Sequence, residues 1–333
     1  MKNVRKLAVG VGVAAVLVVG WVAPATSGAS TTPSTTPPKG YTVVIGNGGC
    51  ELATIDLTTG TLTDLPAGPS TDACATDLAV SPSGTVYGIA DNQFLSAGSV
   101  PGAVPAAQVP AAKIVTFAAD GTPSAVPITD PGATAVGLAT GGIAVSPAGT
   151  VYVQLVTDNP TCLIGTPPDT TPTTSPAAPG FFADSVCLYT VSPATGTAAV
   201  IGTTNVLETP FFSLAWCGGL HTLAFGQSST WGTESTSTGA VTLGAEAQSI
   251  PVGYDCDSRT GGPLWGLSSP NATLTSTPAS TEVDVTQIDP ATGAVTQIVP
   301  VSDQNADLIA LAVVATPEPE VANANVVAPS FTG

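Results

Sequence analysis

The segment Asp77–Gly88 reads DLAVSPSGTVYG, and the segment Gly142–Val153 repeats it as GIAVSPAGTVYV. A second phrase reads IDLTTGTL at Ile55–Leu62, VSPATGTA at Val191–Ala198 and IDPATGAV at Ile288–Val295. Phrases that recur at intervals of roughly 40 to 70 residues are typical of stacked supersecondary units, here β-units in a radial array. This pattern decides the fold class, although it does not identify a ligand.

Each repeat shows the same order of strands: an inner strand, a tight turn, a strand carrying Tyr or Trp, and two outer strands joined by a Thr-Gly turn. The first two tight turns end at Gly84 and Gly149. Their Pro presets φ at the second position of a type I turn, and Gly suits the fourth. Inner strands are expected to begin near Leu78, Ile143, Leu214, Gly253 and Ile309.

The two ends of the repeating region complement each other. The chain begins with three strands and no inner strand, at Thr42–Ile45, Leu52–Leu57 and Thr61–Leu65, and it finishes with a lone apolar strand, Ile309–Val314. Pairing these pieces closes a ring and removes exposed sheet edges. The sequence therefore predicts an all-β protein, a β-propeller of about five four-stranded blades closed by the C-terminal strand and the N-terminal three. A sixth blade is the alternative, if Phe94–Ala112 or Leu163–Gly180 hides a degenerate one.

The segment Leu188–Gly202, LYTVSPATGTAAVIG, resembles the blades of secreted bacterial β-propellers related to NHL, YVTN and WD-type repeats. The resemblance covers roughly residues 41–315 and is specific for the fold. It implies no catalytic residue, because propellers of this group include adhesins, scaffolds, ligand binders and several classes of enzyme.

The segments outside the repeats indicate an exported protein. Residues 1–29 read as a signal peptide, with three basic residues before a 16-residue apolar run, Leu7–Val22, and small residues after it. An uncleaved anchor is the alternative, although the run is short for a membrane span of about 20 residues. Residues 30–40 form a Pro/Thr-rich linker, residues 41–315 the propeller, and residues 316–333 a flexible tail. We expect a secreted or cell-surface protein with no membrane insertion after signal cleavage.

The charge of the mature chain excludes one class of partner. After the signal only Lys39, Lys113 and Arg259 remain against 23 acids, which leaves a formal charge of −20. Binding to nucleic acid or anionic lipid needs clustered Lys and Arg, so neither is expected. The acidity itself favours solubility outside the cell, and the expected partner is an extracellular protein or glycan.

The six cysteines predict three disulfides in an exported chain. Six cysteines allow 15 pairings, and the repeat register favours the sequential one. Metal ligation is the competing interpretation, which the absence of any Cys-x-x-Cys disfavours. The sequential pairs are Cys50 with Cys74, Cys162 with Cys187, and Cys217 with Cys256.

Motifs for nucleophilic catalysis are absent from the sequence. The single histidine, His221, lies on a predicted strand, where a structural role is favoured, and there is no Gly-x-Ser-x-Gly elbow or Gly-rich phosphate loop. No catalytic residue is therefore assigned.

Acids near the inner strands are the strongest candidates for ligand binding. Five-bladed glycosidases place two or three carboxylates around the axis to share acid and base roles. Here the constellation is incomplete, because Gly142 and Ser213 occupy the equivalent positions of two units. Among the tryptophans, Trp231 is the least bound to the repeat and is the candidate for stacking on a sugar. The ligand-binding candidates are Asp77, Asp255, Asp257, Asp307 and Trp231.

Calcium is the only cofactor that the sequence suggests. Asp303, Asn305 and Asp307 have the alternating oxygens of a calcium loop, but Leu308 replaces the following Gly and Val314 the bidentate Glu. An ordinary polar loop is the competing interpretation.

These observations favour a binding or scaffolding module without catalysis. Two alternatives stay open: a carbohydrate-active enzyme, glycosidase or lyase, that uses axial carboxylates, and a calcium-stabilised surface structural protein.

Overall fold

The computed structural model describes residues 38–46, 48–90, 111–137, 142–162, 185–204, 211–224, 229–249, 251–257, 262–268, 283–303 and 307–314. They form an all-β ring of five antiparallel sheets, with one 3₁₀ turn at Thr71–Ala73. No helix in these ranges has the length and hydropathy needed to span a bilayer.

The strands follow the blades in chain order. Blade 1 begins with β1 (Lys39–Gly46), β2 (Gly49–Asp56) and β3 (Leu62–Asp64). Blade 2 has β4 (Ala75–Val80), β5 (Val86–Ala90), β6 (Lys113–Phe117) and β7 (Pro123–Pro127). Blade 3 has β8 (Val136–Gly137), β9 (Ile143–Val145), β10 (Val151–Thr157), β11 (Ser185–Val191) and β12 (Ala198–Thr203). Blade 4 has β13 (Phe211–Trp216), β14 (Leu220–Ala224), β15 (Thr230–Glu234) and β16 (Val241–Glu246). Blade 5 has β17 (Pro251–Cys256), β18 (Leu264–Ser268), β19 (Asp284–Ile288) and β20 (Val295–Pro300), and β21 (Asp307–Val313) returns to blade 1.

The predicted closure of the ring is confirmed. The last strand, β21, pairs antiparallel with β1, and Gly40 lies opposite Val313. The bond from Val314 N to Lys39 O, at 2.8 Å, continues the ladder past the strand ends. Blade 1 therefore has the order β21-β1-β2-β3, and five blades close without a sixth. The two segments considered for a sixth blade fall largely outside the described residues.

The innermost strand of every blade is irregular, and in blade 1 the register between β1 and β21 shifts between Thr42 and Val44. The register shifts between Ala75 and Asp77 in β4, between Phe212 and Leu214 in β13, and between Pro251 and Gly253 in β17. In blade 3 the inner strand is split into β8 and β9, which both pair with β10. A bulge changes the direction of the side chains around it. Here the side chain of Asp77, beside such a bulge, reaches the neighbouring inner strands.

Small residues let the inner strands approach closely. A Cβ placed on Gly142 would lie 2.4 Å from Leu214 N, and one on Gly253 would lie 2.7 Å from the Cα of Ala310. Both distances are below van der Waals contact, so only glycine fits at these two positions. Backbone and small side chains therefore fill the centre of the ring at this level.

The two faces of the ring differ in the length of their connections. On one face the turns are short, and the longest of them, 257–263, joins β17 to β18. The Ser-Pro-x-Gly turns lie there and are closed by hydrogen bonds from Gly84 N to Ser81 O and from Gly149 N to Ser146 O, both 2.8 Å. The opposite face, which we call the loop face, carries the long connections 91–112, 158–184 and 269–283.

All three disulfides have the predicted sequential pairing. Cys50–Cys74 and Cys162–Cys187 lie at the loop face, with Cα–Cα distances of 4.9 and 5.8 Å. Cys217–Cys256 joins the ends of β13 and β17 at the short-turn face, with a Cα–Cα distance of 5.3 Å. Three disulfides are typical of a protein that works in an oxidising, extracellular compartment.

Candidate functional site

Asp77 lies on β4 just after the bulge, and its side chain is fully buried. Its Oδ2 accepts hydrogen bonds from the backbone N–H groups of Ile143, at 2.8 Å, and Leu214, at 3.2 Å. Its Oδ1 accepts a bond of 2.7 Å from Ser213 Oγ. One carboxylate on blade 2 thus joins the inner strands of blades 3 and 4, and the protein's own donors occupy both of its oxygens.

Ser213 continues this network toward blade 5. Its φ of 54° is the single positive value of a non-glycine residue in the described chain, and that conformation is strained for a side chain with a Cβ. Its Oγ also lies 3.2 Å from Tyr254 O, and the Tyr254 hydroxyl donates to Ser213 O at 2.9 Å. These contacts hold the strained residue between Asp77 and β17.

Asp255, on β17, makes the equivalent link to the closing strand. Its Oδ2 accepts from Val313 N at 2.9 Å, and its Oδ1 accepts from Cys256 N at 2.8 Å. The carboxylate therefore ties blade 5 to the last strand of the ring. Like Asp77, it accepts hydrogen bonds from the protein's own donors on both oxygens.

The electrostatics of the two acids follow from their burial. Burial raises the pKa of Asp77 to about 8, and the donors Ser213, Ile143 and Leu214 oppose that rise. Burial also raises the pKa of Asp255 well above its ordinary value, and the charges of Asp77 and Asp257 add to the effect. Raised carboxyl pKa values occur in catalytic acids, but a catalytic acid must also reach its substrate. Here the oxygens of both acids accept hydrogen bonds from protein donors.

The structure describes the surroundings of the other two predicted acids, Asp257 and Asp307, in less detail. Asp257 follows β17 and is 7% exposed, near the start of the short-turn connection 257–263. The backbone of Asp307 begins β21, on the edge of the loop face. The structure thus brings Asp77, Asp255 and Asp257 to the inner strands, while their part in binding stays a prediction.

The calcium hypothesis stays a prediction as well. Asn305 lies outside the described residues, and of the remaining two candidates only Asp303 has a described side chain. Within the described ranges, no group of three or more His, Cys, Asp or Glu side chains is arranged to hold a metal ion.

Trp231 lies in the core between blades 4 and 5, with 1% of its surface exposed. Its ring meets that of Tyr254 edge to face at a centroid distance of 4.9 Å. The buried ring presents no face on which a sugar can stack. The lack of a repeat partner, on which its candidacy depended, reflects instead a packing position specific to this blade.

His221 has the structural position that its sequence context indicated. It lies on β14 opposite Thr233, and burial lowers its pKa, which keeps the imidazole neutral near pH 7. No acid of the described network is hydrogen-bonded to it, so the elements of a nucleophilic triad are not assembled.

A second polar cluster, not foreseen from the sequence, supports the loop face. Asp130 precedes blade 3, and its Oδ2 accepts bonds from Asn159 Nδ2 at 2.6 Å and from the Tyr189 hydroxyl at 3.0 Å. The disulfide Cys162–Cys187 lies beside it, with Cys162 Sγ 3.8 Å from that hydroxyl. In the sequence Asp130 looks like an ordinary turn residue before Pro131 and Gly132, and only the fold brings it to Tyr189.

Comparison with known proteins assigns neither a family nor an activity to the chain. No protein-family model and no curated protein matches the chain. Among solved structures, the periplasmic gluconolactonase of Pseudomonas aeruginosa is 11% identical, with a TM-score of 0.35, over 84% of this chain and 99% of its own. An exo-β-1,3-galactanase from Clostridium thermocellum is 10% identical, with a TM-score of 0.42, over 78% of this chain and 62% of its own. A Hadza microbial sialidase is 10% identical, with a TM-score of 0.38, over 74% of this chain and 53% of its own.

Likeness at this level of identity assigns no substrate. The chain spans about half the length of the sialidase and about three fifths of that of the galactanase. The class that fold and site define is a disulfide-linked, five-bladed β-propeller. The predicted relation to NHL, YVTN and WD-type repeats stays a prediction.

Proposed function

We propose that this protein is a secreted binding module, which recognises an extracellular glycan or protein at its loop face without transforming it. The observation that carries the proposal is the asymmetry of the ring. The connections 91–112, 158–184 and 269–283 all leave the loop face, whereas no connection on the other face exceeds the seven residues of 257–263. Functional residues concentrate on loops that a rigid scaffold positions.

The anchoring of the loop face supports the same proposal. The Cys162–Cys187 disulfide closes the base of the longest connection, and Asp130 ties that base to blade 3. A closed base reduces the number of conformations that the connection has to give up when it binds a partner.

The position of the chain ends favours display of the loop face. β1 begins and β21 ends at the short-turn face, where Val314 N bonds to Lys39 O. The segments that precede and follow the ring therefore leave from the face opposite the long connections. If either segment attaches to a surface, the loop face points away from it.

The catalytic alternative draws less support from the geometry. The two axial acids with described contacts, Asp77 and Asp255, accept hydrogen bonds from the protein's own donors on both oxygens. A glycosidase needs a pair of carboxyl groups that flank a scissile bond. The enzyme hypothesis therefore depends on Asp257 and Asp307.

Binding and catalysis are separated on one panel of immobilised polysaccharides and extracellular proteins. We expect the wild-type protein to bind part of the panel and release no sugar. Replacing 91–110 by a short Gly-Ser linker should abolish binding with little change in melting temperature. The control, Ala148→Arg with Ala291→Arg, changes two exposed positions of the short-turn face and should bind normally.

Two outcomes would overturn the proposal. Binding that survives the loop replacement but fails in the control would move the site to the short-turn face. Sugar release that Asp257→Asn abolishes, with the fold retained, would establish the enzyme.

A further inference from the structure

A buried polar pair lies between blades 3 and 4. Gln154, on β10, donates from Nε2 to Glu234 Oε2, on β15, at 2.8 Å, and Nε2 also lies 3.4 Å from Thr222 Oγ1. Gln154 and Thr222 have no exposed surface, and Glu234 has 5%. The contact joins residues 80 positions apart in the chain.

The remaining oxygens of this pair are both acceptors without a donor. Glu234 Oε1 and Gln154 Oε1 are buried and have no hydrogen-bond partner. A buried polar atom left unpaired costs about 1–3 kcal/mol, and an unpaired buried charge costs more. If Glu234 were ionised, both of these buried oxygens would stay without a hydrogen-bond donor.

One proton satisfies both oxygens. A carboxylic acid and a carboxamide can each present one donor and one acceptor side by side, so they can form a closed ring of two hydrogen bonds, and the second N–H of the amide stays available for Thr222. We propose that Glu234 carries a proton at neutral pH and donates it to Gln154 Oε1, which makes the pair a neutral, two-bond link between blades 3 and 4. The proton comes from solvent during folding, and no covalent bond changes.

The surroundings of Glu234 offer no positive charge in place of the proton. On the strands paired with β15, Glu234 lies opposite Leu220 of β14 and Val241 of β16. Tyr254, on β17, interacts electrostatically with Glu234 and with Asp77 of β4. All three of these groups are acids.

The basic groups of the described chain lie elsewhere. Lys113, on β6, pairs with Asp72 at 3.4 Å, and Lys39 begins β1. His221 lies opposite Thr233, one position from Glu234, so strand alternation places it on the other side of the sheet. Burial raises the pKa of Glu234 to about 8, which agrees with a proton held at pH 7.

This link makes the interface between blades 3 and 4 sensitive to pH. The pKa of Glu234 is raised on folding, from 4.5 to about 8. Its contribution to stability is therefore fully present below about pH 4.5 and is lost as the pH rises through about 8. The contribution of Asp77 to stability changes with pH in the same direction, because its pKa is raised from 3.8 to about 8. A test must separate the two groups.

Selective ¹³C labelling of glutamate carboxyl carbons makes that separation, because the aspartates stay silent. The chain contains seven glutamates. We expect one carboxyl resonance to keep the chemical shift of a protonated acid at pH 7, to titrate near pH 8 and to disappear in Glu234→Gln. Seven resonances that all titrate below pH 6 would overturn the proposal.

A stability measurement tests the same proton without labels. Glu234→Gln replaces the acid by an amide that can form the same two-bond ring, so the variant should fold and lose only the pH dependence. Between pH 6 and 8 the wild-type folding constant should fall by up to roughly tenfold more per pH unit than that of Glu234→Gln. Asp77→Asn, the control, should keep the part of the slope that Glu234 supplies.

A bound cation is the competing way to satisfy the two oxygens. We expect the melting temperature at pH 7 to be the same in sodium, calcium and choline buffers with chelator. A cation-dependent melting temperature that Glu234→Gln abolishes would overturn the proposal.

Discussion

The interfaces on the two sides of blade 3 are built differently. Between blades 2 and 3, fifteen buried residues form one continuous cluster. Between blades 3 and 4 the buried apolar contact is divided into two small clusters, one formed by Ala144, Leu188, Leu214 and Leu220 and the other by Ala224 and Val241. The sheet register places Glu234 opposite Leu220 and Val241, one residue from each cluster.

One buried polar pair and one aromatic stack add to the small apolar contact between blades 3 and 4. The interface between blades 3 and 4 contains the Gln154–Glu234 pair and a stacked ring pair, Tyr152 and Trp216, with centroids 5.8 Å apart. Asp77 adds bonds from blade 2 to both of these blades. The comparison teaches that buried acids in this ring are first of all links between blades. An axial carboxylate is therefore weak evidence for catalysis here.

The largest loss of stability is expected at the interface between blades 3 and 4, where a glycine allows the inner strands to approach closely. In Gly142→Val the added Cβ would lie 2.4 Å from Leu214 N, so the inner strands of blades 3 and 4 must separate. We expect the free energy of unfolding in urea to fall by about 3 kcal/mol or more. The matched control is Gly149→Ala, at φ +83° with open space around it, which should lose about 1 kcal/mol. Equal losses in the two variants would contradict the close approach.

The second largest loss of stability is expected at the interface between blades 2 and 3, which holds the continuous apolar cluster. The Cys162–Cys187 disulfide closes a separation of 25 residues and belongs to the cluster between blades 2 and 3. Replacing both cysteines by serine should lower the free energy of unfolding by about 3 kcal/mol, mainly through the entropy of the unfolded chain. Near-ultraviolet circular dichroism should still show a folded core, because the apolar cluster remains. Loss of the folded signal at room temperature would show that this interface also depends on its covalent link.

Much of this architecture follows from the sequence, because repeated turns locate the strands. The inner strand predicted to begin near Ile143 begins there in the structure, and the closure by β21 and the three disulfide pairs are confirmed. The two-residue strand β8 was not predicted, because Val136–Gly137 is too short to show alternation.

The contacts of the site could not be predicted in the same way. The sequence places Asp77 on an inner strand, but the direction of its side chain depends on a bulge that no local pattern marks. Gln154 and Glu234 meet across 80 residues, and each looks like an exposed strand residue in isolation. Periodicity locates strands, whereas contacts between blades depend on how the blades pack.

The smallest effect concerns the ring stack. Tyr152→Leu keeps an apolar side chain but loses the stack on Trp216, so we expect a loss of about 1 kcal/mol in the free energy of unfolding. Tyr87→Leu, at the equivalent position of blade 2, is the control, since Tyr87 packs against the continuous apolar cluster. A double-mutant cycle of Tyr152→Leu with Trp216→Leu should show coupling between the two rings. Additive losses would show that the two rings do not stabilise each other.

The central claim is that the buried inner-strand acids hold the ring together, and urea unfolding of Asp77→Ala at pH 7 tests it most directly. The substitution leaves Ser213 Oγ and the N–H groups of Ile143 and Leu214 without their acceptor. We predict a free energy of unfolding about 3 kcal/mol or more below that of the wild type. Removing an acid that serves a substrate commonly leaves stability unchanged or raises it. An unchanged or higher value for Asp77→Ala would therefore contradict the account.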